Sequence, residues 1–211
     1  MNEFEVSEDQ TYRCGMAVIG AAVAVATSAA GLPTGRLELV ANGPDHVELA
    51  CGILSEIAAV MDTAETVSAA PTSLLVRYAV VLQAQITALD LMCYAFEPQI
   101  GAAAYQLNVG YLLTIAKHVV AASFPCPING SVDPEQEAAI IVLENLWLDD
   151  LRLDVEAMAE EMTDHTVAVG NALFEGGAVS ADEMQHLRDA CCNRRVEHWP
   201  KKPLPDRDGA L

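Results

Sequence analysis

From Cys14 to Leu32 the chain carries no charged side chain. A run of that length has to be hidden, either in lipid or inside a fold, because an uncharged helix leaves nothing polar for water to hold. This one is built from Ala, Gly, Val, Ser and Thr with few large apolar groups, a weak payload for a membrane span. The residues ahead of it include Glu3, Glu5, Glu8 and Asp9, where a signal peptide carries Lys or Arg. The expectation is a helix buried in the core of a cytoplasmic protein that makes no membrane contact.

The rest of the composition agrees with helices. Of the 211 residues 52% are hydrophobic, with Ala prominent, and only 5% are aromatic, a balance that suits close-packed helices better than a sandwich of strands. One core fits this length. The expected fold is all-α, a single helical-bundle domain over residues 1–199, with a loop at 124–132 between an apolar first half and an acidic second half. The six cysteines follow no regular framework and are read as reduced and mostly buried. A net charge of −19 repels phosphate backbones and excludes ordinary direct nucleic-acid binding.

Punctuation along the chain divides it further. Ser7 and Gln10 stand at capping-box spacing, which starts a first helix near Glu8, and Gly31 and Pro33 stop it after Ala29. Residues 36–40 alternate as a short strand, closed by Asn42, Gly43 and Pro44. Asp45 and Glu48 repeat the cap spacing and predict a second helix to about Asp62. Two apolar helices, about 71–96 and 100–123, take the centre of the bundle. Asp133, Pro134 and Gln136 open a long acidic helix that ends at Gly176 and Gly177, and Ser180 with Glu183 caps the last one. The tail at 200–211 is Pro-rich and charged with almost nothing to bury, so disorder is expected there.

The opening segment YRCGMAVIG resembles the first helix of the peptidase domain of FtsH-type AAA zinc proteases, which has the form HEAGHAVV. Two further pieces are similar to that family. ELACGILSEIAAVM, residues 48–61, looks like its AG-x-x-AE helix, and ALDLMCYAF, residues 88–96, puts Asp90 where the third zinc ligand is expected. VEAMAEEM followed by ALFEGGAVSADEMQHL resembles its closing pattern. The order of these pieces covers most of the chain. The departures decide what the resemblance implies: Tyr12 and Met16 stand where two His would bind zinc, and Arg13 replaces the Glu that would activate water. Neither Tyr nor Met supplies an imidazole, and Arg13 would set a fixed cation beside a dication. A relative of this kind keeps the fold and loses hydrolysis, with no catalytic residue and no cofactor.

Three other groups of residues carry chemistry in principle. Asp149, Asp150 and Asp154 in LWLDDLRLD are spaced like an aspartate-rich Mg²⁺ motif for diphosphates, but the second such motif is missing and no cluster of Lys and Arg stands near it in sequence for the phosphates. His186, Cys191, Cys192 and His198 are zinc-ligand types at spacings that match no finger or ribbon. Glu161 and His165 stand one helical turn apart. Between Asp133 and Asp189 the only cations are Arg152 and Arg188, so Glu156, Glu160, Glu161 and Asp164 predict an acidic docking face for a protein partner of basic character. The expected function is therefore a peptidase-like interaction module, self-associating through the apolar middle helices. Two alternatives stand beside it: an acidic inhibitor or DNA-mimic decoy of a nucleic-acid enzyme, and a Mg²⁺-dependent diphosphate enzyme at the Asp149 cluster.

Overall fold

A computed structural model describes residues 8–41, 47–95, 102–123 and 134–191. The fold is all-α with a small sheet. In chain order come α1 (Glu8–Ala29), β1 (Leu37–Ala41), β2 (Val47–Cys51), α2 (Gly52–Met61), α3 (Ala64–Ala69), α4 (Thr72–Ala95) and α5 (Ala102–Ser123). After them stand α6 (Pro134–Glu161), α7 (Thr163–Gly176), β3 (Ala178–Val179) and α8 (Ala181–Cys191). The expected loop at 124–132, the tail at 200–211 and the turn at Asn42 to Pro44 lie outside the described residues.

The uncharged run is explained by the position of α1. One side of it, Ala17, Ala21 and Ala24, packs with Leu37, Val169, Leu173, Val179 and Met184 from the sheet, α7 and α8. Its other side, Val23, Ala26 and Ala29, joins the larger cluster with Leu75, Tyr78, Val81 and Leu82 of α4, Ile57 of α2 and Ile115 of α5. A helix covered on two sides has no face for charge, and small residues let its neighbours come close. Two helices, Thr11–Ala29 and Thr72–Leu91, are long and apolar enough to cross a membrane by length and composition, and most of each is buried inside the protein. Each large aliphatic side chain buried this way contributes about 1.5–3 kcal/mol.

The sheet departs from expectation. Residues 47–51 are a strand, not the start of a helix, because Val47, Leu49 and Cys51 alternate with Glu48 and Ala50 and pair with β1 in the register Leu37↔Cys51, Leu39↔Leu49, Ala41↔Val47. α2 begins only at Gly52. β1 also pairs antiparallel with β3, giving the order β2-β1-β3. A further short helix, α3, was not foreseen; Thr63 and Thr66 cap it reciprocally.

The long acidic helix is bent in two. α6 and α7 meet at Met162, whose side chain is buried while its backbone leaves helical geometry at φ −108° and ψ 16°. Thr163 Oγ1 bonds back to the carbonyls of Ala159 and Glu160 at 2.9 and 3.0 Å, competing for the backbone at the bend. The bonds Met162 N to Met158 O and Thr166 N to Met162 O still run on either side, so the junction is a kink. α7 ends as expected on Gly177, in the left-handed region at φ 74° with its N–H on Leu173 O. Ser180 and Glu183 form the expected capping box of α8. Asn108 Nδ2 donates to Gln85 Oε1 at 2.9 Å, a buried polar pin between α4 and α5.

Candidate functional site

Of the four positions singled out on the peptidase-like segments, Tyr12, Arg13 and Met16 lie at the start of α1, each against a different neighbour, and Asp90 lies near the end of α4. Tyr12 is partly buried, and burial together with the nearby Glu48 carboxylate of β2 raises the pKa of its hydroxyl. Arg13 turns the other way. Its guanidinium lies over the Phe174 ring, 5.9 Å from the centroid, and a β-carbon at Gly177 would stand 3.5 Å from its terminal nitrogen. A cation there meets both the ring face and the negative end of α7, although its Nε is buried without a hydrogen-bond partner. Met16 packs against the cluster of Ile19, Ala88 and Leu89. Asp90, next along α4, is exposed. The start of α1 and the end of α4 therefore run side by side, while the side chains at Tyr12, Arg13 and Met16 diverge. Among the described residues no three or more His, Cys, Asp or Glu stand together as a metal-holding group.

The other sequence candidates are dispersed. Asp149 and Asp150 are exposed on α6 and Asp154 is half-buried one turn after Asp150. His186 is exposed, Cys191 is half-buried, and Cys192 and His198 lie outside the described residues. Cys14, Cys51 and Cys191 are free thiols and only half-buried, a correction to the expectation of burial; the side chains of the other three lie outside the described part.

The outward side of α6 is a more coherent feature. This helix is 28 residues long, about 42 Å. Leu151, Val155 and Met158 are buried, and Trp147 and Leu148 lean on the main core. On the opposite side Val142, Leu146 and Leu153 are 56%, 57% and 55% exposed. Spacings of four and seven residues put these three within an arc of about 40°. Glu135, Asp149, Glu156 and Glu160 share that side within about 40° of the arc. The single cation of the helix, Arg152, is joined to Glu156 at 3.1 Å. The expected docking face is thus narrower than its four residues: Glu156 and Glu160 lie on the outward side, Glu161 stands about 100° round the helix from Glu160, and Asp164 lies past the kink.

Two features carried no readable signal. His165 does not share a surface with Glu161: Glu161 is exposed, whereas His165 lies about 20° round from the buried Met158 and is 2% exposed. Its Nε2 lies 3.3 Å from the Met184 carbonyl, which can only accept, so Nε2 carries the proton and the buried Nδ1 has no partner. The ring lines a cavity of about 10 Å³, the scale of one water, with Ser28, Thr34, Gln185 and Arg188. Burial, and then the Arg188 charge, lower its pKa against the pull of the Met184 bond. Cys51 sits at the N-terminus of α2 in an open cleft of about 560 Å³ with Arg36, Glu38 and Ser55. Burial raises the pKa of its thiol more than the N–H groups of Leu54 and Ile53 lower it, which is the wrong direction for a reactive thiolate.

The chain matches no protein-family profile, and no curated protein is similar enough to count as a relative.

Proposed function

We propose that this protein is a catalytically inactive, peptidase-like helical domain that serves as an interaction module, and that it docks a basic, amphipathic protein segment along the outward side of α6. The observation that carries this reading is the row Val142, Leu146 and Leu153, each more than half exposed on a helix whose opposite side is already buried. Apolar side chains set among Asp149, Glu156 and Glu160 suit a helix with Leu on one side and Lys or Arg beside it: the apolar row gives affinity, and the carboxylates give orientation and encounter rate. The peptidase-like part rests on the order of the matched segments and on Arg13 and Met16, which supply packing contacts where the family supplies zinc chemistry, beside a partly buried Tyr12.

Self-association is the weaker variant of this reading. α4 packs against α1, α5 and α6, so among the described residues the middle helices offer a second copy Leu91 near the end of α4 and Leu107 and Leu113 of α5. Two chains of −19 charge each also repel.

Calorimetric titration with a synthetic helix of Leu and Lys repeats tests the reading. Leu146→Ser with Leu153→Ser should weaken binding by about tenfold or more, on about 1 kcal/mol lost per side chain. Binding that is unchanged in this variant, yet vanishes at high salt, would mean that charge alone holds the peptide and would favour the nucleic-acid decoy.

A further inference from the structure

The acidic face has a complement in the same chain. Arg194, Arg195, Lys201, Lys202 and Arg207 are five of the eleven cations, and all fall within the twenty residues after α8. Trp199 and Leu204 lie among them. The segment alone has almost nothing to bury, so any order it gains must come from a surface.

The place where α8 ends brings that segment to α6. His165 is in the first turn of α7, four residues beyond the end of α6, and it lines one cavity with Met184, Gln185 and Arg188. Arg188 also donates to Ser28 Oγ at 2.9 Å, which holds this end of α8 in place. α8 stops three residues later, at Cys191, so the chain leaves it close to the α6–α7 junction. From Cys191 to Lys202 an extended chain spans up to about 36 Å. From Glu161 back to Leu146 along α6 is about 22 Å. The basic segment therefore reaches Asp149, Glu156 and Glu160 with chain to spare.

We infer that residues 194–204 of the same molecule dock on the outward side of α6, setting Arg194, Arg195, Lys201 and Lys202 against Asp149, Glu156 and Glu160 and covering part of the row of Leu146 and Leu153. The inference rests on the reading of α6 as a docking face, and it adds regulation: the tail is a tethered occupant that an external basic partner must displace. A tether of this length holds the segment at roughly millimolar effective concentration, enough to weaken an outside competitor by about tenfold.

The test is zero-length carbodiimide cross-linking of the full-length protein, as an equal mixture of ¹⁵N-labelled and unlabelled chains, with cross-linked peptides identified by mass spectrometry. Links from Lys201 or Lys202 to Asp149, Glu156 or Glu160 are expected with both peptides carrying the same isotope and none mixed, and Glu156→Gln with Glu160→Gln should remove those to the two changed positions. Links of which about half join differently labelled chains, the random ratio for two copies, would overturn the inference in favour of a second copy, and an absence of links from these lysines to α6 would overturn it outright. A second arm titrates the Leu/Lys helix into the full-length Arg194→Glu, Arg195→Glu, Lys201→Glu, Lys202→Glu variant, whose affinity should rise about tenfold over the native chain. Equal, measurable affinity for both would leave α6 a docking face and remove its cis occupant. Cross-links as expected with no peptide binding to either would do the reverse.

Discussion

His165 is the residue at which mild acid should act. Its ring is buried and Arg188 stands beside it, which together outweigh the pull of the Met184 carbonyl on Nε2–H, so the folded protein resists the second proton and the pKa lies below the ordinary 6.5. The unfolded chain takes up that proton first. This contribution to stability is therefore complete above about pH 6.5 and is lost as the pH falls from there toward the folded pKa. Glu183 acts lower: the Ser180 N–H and hydroxyl depress its carboxyl pKa below 4.5, so its contribution is present above that value and is lost as the pH falls further. Thermal unfolding followed between about pH 7 and pH 5 should show a fall in Tm that is reduced in His165→Gln, whose amide can still donate to Met184. Equal slopes for the two proteins would contradict the assignment. The sequence offered little warning of this site. Glu161 and His165 stand at a spacing that places both on one face of a straight helix, and no Pro or Gly marks the bend at Met162.

At the scale of elements, α6 divides into two sides with opposite consequences for mutation. Met158 is buried against the core, so Met158→Ala should cost about 2–5 kcal/mol and lower Tm clearly. Val142→Ala, on the outward side beyond the part of the row assigned to the tail, should stay within about 0.5 kcal/mol, because an exposed side chain has little to lose. Comparable losses at both positions in denaturant titrations would mean that Val142 is packed in the free protein. Helix ends were largely legible: Gly31 and Pro33 after α1, Gly177 after α7, and the Ser180 and Glu183 box all act as their side chains dictate. β2 was harder to read because Asp45 and Glu48 imitate a cap, while the alternation of Val47, Leu49 and Cys51 becomes decisive only once β1 supplies a partner strand. Pairing of this kind is tertiary, and a local pattern expresses it weakly.

For the whole molecule, the uncharged run of α1 from Cys14 onward and the charged α6 divide the work. α1 sits between the sheet, α7 and α8 on one side and α4 on the other, and no face of it needs charge. The acid residues are displaced to the outside, above all to α6, and leave the protein at −19 overall. That acidity was plain in the sequence. What composition could not show was which apolar residues of the acidic half stay exposed, since Val142, Leu146 and Leu153 look like core residues until Leu151, Val155 and Met158 are seen to fill the core side. The central claim is that this row is the docking surface. Methyl NMR of the full-length protein, titrated with the Leu/Lys helix at physiological salt, tests it most directly. The account predicts shifts concentrated at Val142, Leu146 and Leu153, with Leu107 and Leu113 of α5 unmoved. Shifts centred on α5, or none on α6 at saturating peptide, would contradict it.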